Sequence, residues 1–115
     1  MQLKAMEETA TRVSALLKLL SHRDRLMALC HLAQGEMSAG KLGEAVGMKA
    51  PAMSQQLAVL RREGIIAARR EGQAIYYSID DQDAVAIMSF LYERFCGDDD
   101  DGSASNAITP ERETV

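Results

Sequence analysis

Apolar residues recur in two different periods along this chain, and the point where one gives way to the other divides it. Over residues 4–20, Met6, Ala10, Val13, Leu16, Leu17 and Leu20 stand at helical spacing, with Glu7, Glu8, Arg12 and Lys18 left for the wet side. That pattern predicts an amphipathic helix ending near Ser21. Ser21 and Asp24 then form a capping pair for a second helix, which carries Leu26, Met27, Leu29, Cys30, Leu32 and Ala33 inward and stops at Gly35. Ser38 is the next N-cap. It opens a short helix over 39–46 that buries Leu42 and Val46, and Gly47 punctuates its end.

A fourth helix is expected at about 51–63, with Met53, Leu57 and Leu60 inward and Ser54, Gln55, Ala58 and Arg61 outward. Pro51 suits a first helical turn, where the missing amide had no partner; Lys49 and Ala50 are poor caps. After Gly64 the period falls to two. Ile65 to Arg69 and Ala74 to Ile79 read as strands joined through Arg70-Glu71-Gly72-Gln73, a turn in which Gly72 takes a positive φ at little cost. Asp80 and Asp83 start a last helix bearing Ala84, Val85, Ile87, Met88, Leu91 and Phe95 and stopping at Gly97. Phe90 and Tyr92 lie off its main stripe, so the helix is greasy over a wide arc that a second subunit would cover.

The fold class that follows is mainly α with a two-stranded β hairpin, a winged helix-turn-helix. Its domain is residues 1–97; residues 98–115, acidic and without a period, read as a disordered tail. At 115 residues with only three Tyr and two Phe, the core is thin and aliphatic, which favours a homodimer. No apolar run approaches the roughly 20 residues needed to cross a bilayer. The N-terminus does not read as a signal peptide, so a cytoplasmic protein is expected.

Charge alters the picture once it is placed. The overall −4 is concentrated in the tail, where six carboxylates face Arg112, leaving residues 1–97 at +1. Within 41–75 the six cations Lys41, Lys49, Arg61, Arg62, Arg69 and Arg70 face Glu44, Glu63 and Glu71. This is a modest footprint for a phosphate backbone, doubled in a dimer. A helix of the fourth's length fits the major groove, so Ser54, Gln55 and Gln56 are the candidate base readers, glutamine being suited to adenine because its amide both donates and accepts. Lys49, Arg61, Arg62, Arg69, Arg70 and Gln73 are the candidate backbone contacts. The competing account of such a face is plain solvated surface. Double-stranded operator DNA is the expected partner; a winged-helix protein-interaction module without operator binding is the alternative from a different class. No nucleophile–base pair or phosphate loop points to an enzyme.

The stretch from Ala52 to Ile66 (AMSQQLAVLRREGII), with Arg69 to Ile79 (RREGQAIYYSI), resembles the ArsR/SmtB family of bacterial repressors, over about residues 12–97. The resemblance implies a homodimer joined through the first and last helices, Ser54, Gln55 and Gln56 on the recognition helix, and an effector that loosens the hold on operator DNA. The family often has histidine where Gln56 stands and Ser-Gln-Ser where Lys49-Ala50-Pro51 stands, departures that bear on operator sequence rather than on the mode of binding.

A metal effector would need clustered ligands. His22 and His31 are the only histidines, no Cys-x-Cys or Cys-x-x-Cys occurs, and Cys30 and His31, as helix neighbours, point about 100° apart. No metal and no cofactor are expected, although a metal-responsive repressor of this family stands as an alternative function. Two cysteines in a reducing compartment are thiols by default, and both can serve merely as small hydrophobes. Their placement is also similar to that of the reactive-sulfur-sensing subgroup of the family, typified by BigR, SqrR and HlyU. That likeness implies that Cys30 and Cys96 are sensing thiols, linked by persulfides, other reactive sulfur species or oxidants. Arg94 favours and Glu93 opposes an ionised Cys96.

Overall fold

A computed structural model describes residues 3–96. Its elements run α1 (Leu3–Leu20), α2 (Arg23–Leu32), β1 (Met37–Ser38), α3 (Ala39–Val46), α4 (Ala50–Arg62), β2 (Ile66–Glu71), β3 (Ala74–Ile79) and α5 (Gln82–Phe95). The expected stop at Gly97 and the acidic tail at 98–115 lie outside the described residues.

The helical expectations hold to within a residue or two at most ends, and the departures have local causes. The cap of α2 is His22, whose Nδ1 accepts from the Asp24 amide at 3.2 Å, while the Ser21 hydroxyl is spent donating back to the Lys18 carbonyl at 2.8 Å. Helix α5 is capped by Asp81 rather than Asp80, its carboxylate accepting from the Ala84 amide at 2.8 Å. Asp81 also receives Arg12 from α1 at 3.2 Å, and Arg12 reaches Asp83 at 2.6 Å. One guanidinium thus joins the first helix to the start of the last.

The sheet is larger than the expected hairpin. Met37 and Ser38 pair with Tyr77 and Tyr76, so the order is β1-β3-β2, all antiparallel, with β3 central. A two-residue strand has no period to read, and only its partner reveals it. Strand β2 also runs to Glu71, which pairs with Ala74, so the turn is Gly72-Gln73 alone with Gly72 at φ +63°. Arg69 and Arg70 therefore belong to a strand, and consecutive strand residues face opposite sides.

The core gathers Leu16 and Leu20 from α1, Ala28, Leu29 and Leu32 from α2, Leu42 from α3, Met53, Leu57 and Leu60 from α4, Ile65 and Ile66, and Ala84 and Met88 from α5. Burying each leucine, isoleucine or methionine of this set contributes about 1.5–3 kcal/mol. Helix α2 touches every other helix and β3, as its expected central place requires. Its inward face nevertheless includes Ala28, while Ala33, beyond the last helical residue, is exposed. Among the described residues, the large apolar side chains left exposed lie on two elements: Leu3, Met6 and Leu17 on α1, and Val85, Phe90, Tyr92 and Phe95 on α5. Among the described residues, no helix is long and apolar enough to cross a membrane.

Candidate functional site

The turn between α3 and α4 decides which face of α4 is presented. The Ser38 hydroxyl accepts from the Lys41 amide at 3.2 Å, fixing the start of α3. At its other end Gly47 adopts φ +89°, and the Gly47 and Met48 amides both donate to the Gly43 carbonyl at 2.8 Å. This wraps the chain back tightly enough that a methyl group on Gly43 would lie 2.6 Å from the Met48 carbonyl oxygen. In the sequence the only signal of this role is a glycine at an inward helical position. Lys49 caps α4 without a side-chain bond, as expected, and Pro51 occupies the first turn.

With Met53, Leu57 and Leu60 fully buried, helical spacing forces Ser54, Gln55, Ala58, Arg61 and Arg62 outward, and all are exposed. Gln56 is different. It is half-buried, and its Oε1 accepts a hydrogen bond from Nη1 of Arg25 on α2 at 3.2 Å; Nε of the same arginine donates to the Leu19 carbonyl at 2.9 Å. In the sequence Arg25 carries no signal of this role, because a lone arginine in a helix reads as solvated.

In the sheet, Arg69 lies over the Tyr76 ring, 5.1 Å from its centre, and donates to Glu36 at 2.8 and 3.1 Å and to Glu71 at 2.9 Å. Glu36 precedes β1, so this guanidinium spans all three strands; the contact lowers the Glu36 carboxyl below its ordinary range and raises Arg69 further. Arg70, on the opposite face of β2, is exposed, as are Lys49, Arg61, Arg62 and Gln73. Among the described residues, Arg61, Arg62 and Arg70 carry no ion pair. Helix α4 contacts β2 directly. The surface so formed offers short hydrogen-bonding side chains flanked by unneutralised cations, the chemistry that base edges and phosphates respectively require.

The thiols lie on α2 and at the end of α5. Cys30 is half-buried and lines a cleft of about 150 Å³ with Ala33 and Gln34 of the α2 end and Met88, Ser89, Tyr92 and Glu93 of α5. Cys96, also half-buried, closes α5, its amide donating to the Tyr92 carbonyl at 2.7 Å. Both are free thiols. Burial pushes the Cys30 thiol up, and the negative charge of Cys96 adds to the effect. Arg94 stacks over Phe95, 5.5 Å from the ring centre. Among the described residues, no three His, Cys, Asp or Glu side chains gather in a way that can hold a metal ion.

Comparison with known proteins gives a consistent set of likenesses. The family described as "Bacterial regulatory protein, arsR family" matches residues 22–68, from the cap of α2 into β2. A biofilm growth-associated repressor of Agrobacterium fabrum is 47% identical over 94 residues, covering 82% of this chain and 80% of that protein. The crystal structure of the transcriptional repressor BigR from Xylella fastidiosa matches with a TM-score of 0.78 at 43% identity, over 84% of this chain and 98% of the other. The transcriptional regulator HlyU from Vibrio vulnificus matches with a TM-score of 0.77 at 35% identity, over 84% and 100%.

Proposed function

The chain belongs to the ArsR family of bacterial DNA-binding transcriptional regulators, near BigR, HlyU and NolR, and from that premise we propose a homodimeric repressor whose two thiols switch its hold on operator DNA. The observation that carries the DNA half is the outward face of α4, where Ser54 and Gln55 are exposed over a fully buried Met53-Leu57-Leu60 stripe. Ser54, Gln55 and Gln56 read bases. Lys49, Arg61, Arg62, Arg70 and Gln73 hold the backbone, and Arg69, already shared between Glu36 and Glu71, chiefly shapes the sheet that presents them. The exposed apolar residues of α1 and α5 are the dimer face, and the Arg12 clamp fixes one helix against the other.

The switch rests on Cys30 and Cys96. Support for it is that Cys30 faces the α2–α5 cleft and that the charge of Cys96 is felt at Cys30. A thiolate at Cys96 attacks the outer sulfur of a persulfide, R–S–SH; the S–S bond breaks, R–S⁻ leaves, and Cys96 carries a persulfide. Cys30, held as a neutral thiol by its surroundings, acts second. After losing its proton to solvent it attacks Sγ of Cys96, expels HS⁻, and closes a Cys30–Cys96 disulfide. Two thiols are oxidised, and the incoming persulfide is reduced to a thiol and sulfide. The bond ties α2, which supports α4, to α5, which sets subunit spacing, and so draws the two recognition helices off the roughly 34 Å repeat of the major groove.

Mass spectrometry of the protein after exposure to glutathione persulfide, with DNA binding measured in parallel, tests the proposal. A Cys30–Cys96 link accompanied by loss of DNA affinity is expected in the wild type. Neither Cys30→Ser nor Cys96→Ser should form the link or lose affinity. Equal affinity of linked and reduced protein would remove the switch.

A further inference from the structure

The hydrogen bond between Arg25 and Gln56 has a consequence for which base edges α4 can read. Resting on α4 as the recognition helix, we propose that Arg25 is a specificity-positioning residue: it fixes Gln56 as a donor-only group toward the duplex.

A glutamine amide has one acceptor end and one donor end, and it reads adenine by using both, accepting from N6 and donating to N7. An arginine guanidinium has donors only. The atom of Gln56 that faces Arg25 is therefore necessarily the oxygen, whichever way the amide would otherwise turn. Arg25 is itself held. Its Nε is committed to the Leu19 carbonyl at the end of α1, which leaves Nη1 aimed at Gln56 Oε1, and the side chain is part-buried. The amide is thereby locked, with its oxygen turned toward α2. Its NH₂ has no protein acceptor among the described hydrogen bonds, and Gln56 is only half-buried on the helix that also exposes Ser54 and Gln55.

Such a group cannot form the bidentate adenine pair. It donates to acceptors, and guanine offers two, O6 and N7, side by side on one edge, whereas the cytosine edge offers only a donor. Gln55, exposed, remains able to use both ends of its amide. The two adjacent glutamines thus have different reading capacities that their sequence does not distinguish.

The test selects DNA from a library of random-sequence duplexes, with wild-type protein, Gln56→Ala, Gln56→Glu and Arg25→Met under reducing conditions. The wild type is expected to enrich a preferred sequence, and Gln56→Ala to lose preference at one base pair per half-site, which locates the pair that Gln56 reads. At that pair the wild type should favour guanine over adenine. Arg25→Met, which frees the amide to turn, should raise adenine relative to guanine by about tenfold, the scale of one bidentate base contact. Gln56→Glu keeps the anchor, and indeed strengthens it, but removes the outward donor; it should fold normally and lose the guanine preference, which guards against misreading an Arg25→Met protein that is merely unstable. A preference for adenine in the wild type, or the same base profile in Arg25→Met as in the wild type when both are folded, would overturn the proposal, as would a Gln56→Ala profile identical to the wild type at every position. If the wild type enriches no sequence at all, the reading of α4 as a recognition helix fails first, and the role of Arg25 fails with it.

Discussion

Cys30 shows how a single side chain is set by what lies around it. Burial is the larger influence on its thiol and the charge of Cys96 the smaller, and both raise it. Its thiolate population at neutral pH is therefore small, which suits a second, resolving attack better than a first. Alkylation by iodoacetamide should accelerate with pH through a midpoint above the ordinary thiol range. In Cys96→Ser that midpoint should fall, because a negative neighbour is gone, yet stay elevated, because burial remains. A midpoint at or below the ordinary range would contradict this placement. The outward placement of Ser54 and Gln55 on α4 was readable from sequence because helical spacing around Met53, Leu57 and Leu60 leaves no other place for them. Arg25, Glu36 and Arg69 were not readable in the same way. Their roles come from partners 31 to 33 positions distant, as in the Arg25–Gln56 and Arg69–Glu36 contacts, and no local pattern encodes those.

At the scale of elements, the α3–α4 turn depends on a close approach of backbone to backbone. Two glycines of α3 make a matched pair of tests. Gly43→Ala drives a methyl into the Met48 carbonyl, which has no soft side chain to yield, and should destabilise by about 1–3 kcal/mol. Gly40→Ala meets nothing nearer than the Ser38 hydroxyl at 4.0 Å, and should instead stabilise by about 0.4–1 kcal/mol through the unfolded chain. Urea denaturation of both variants checks the opposite signs; equal effects would mean that the turn is not so tightly built. The elements themselves were legible wherever a period ran for two turns or more. Strand β1 was missed because two residues carry no period, and the N-caps at α2 and α5 were each displaced by one residue because Ser21-His22 and Asp80-Asp81 each offer adjacent capable side chains. Spacing locates a helix end; only the backbone amide it satisfies shows which neighbour caps it.

Over the whole molecule, two sets of features lie on different elements and are joined through α2. One is the polar, cationic surface of α4 and β2; the other is the cleft and apolar face of α5 with α1. The first was foreseen from charge placement within 41–75, since a cationic cluster around a short exposed polar helix survives any uncertainty about element ends. The wide apolar arc of α5 was legible in the sequence, and a single chain leaves its Val85, Phe90, Tyr92 and Phe95 exposed; pairing through α1 and α5 is what the family resemblance implies and stands as part of the proposal. The central claim is that the α4 surface holds DNA, with cations fixing register and Ser54, Gln55 and Gln56 choosing sequence. Its most direct test is fluorescence-anisotropy titration of the reduced protein into its preferred duplex at a series of salt concentrations, beside an Arg61→Gln, Arg62→Gln, Arg70→Gln triple variant and a Ser54→Ala, Gln55→Ala double variant. The account predicts that wild-type affinity falls steeply with salt, that the triple variant loses about 0.9 from the log–log slope for each phosphate contact removed, and that the double variant keeps the slope while losing most of its preference over unrelated DNA, the part read by Gln56 remaining. Affinity indifferent to salt and to all five substitutions would contradict it.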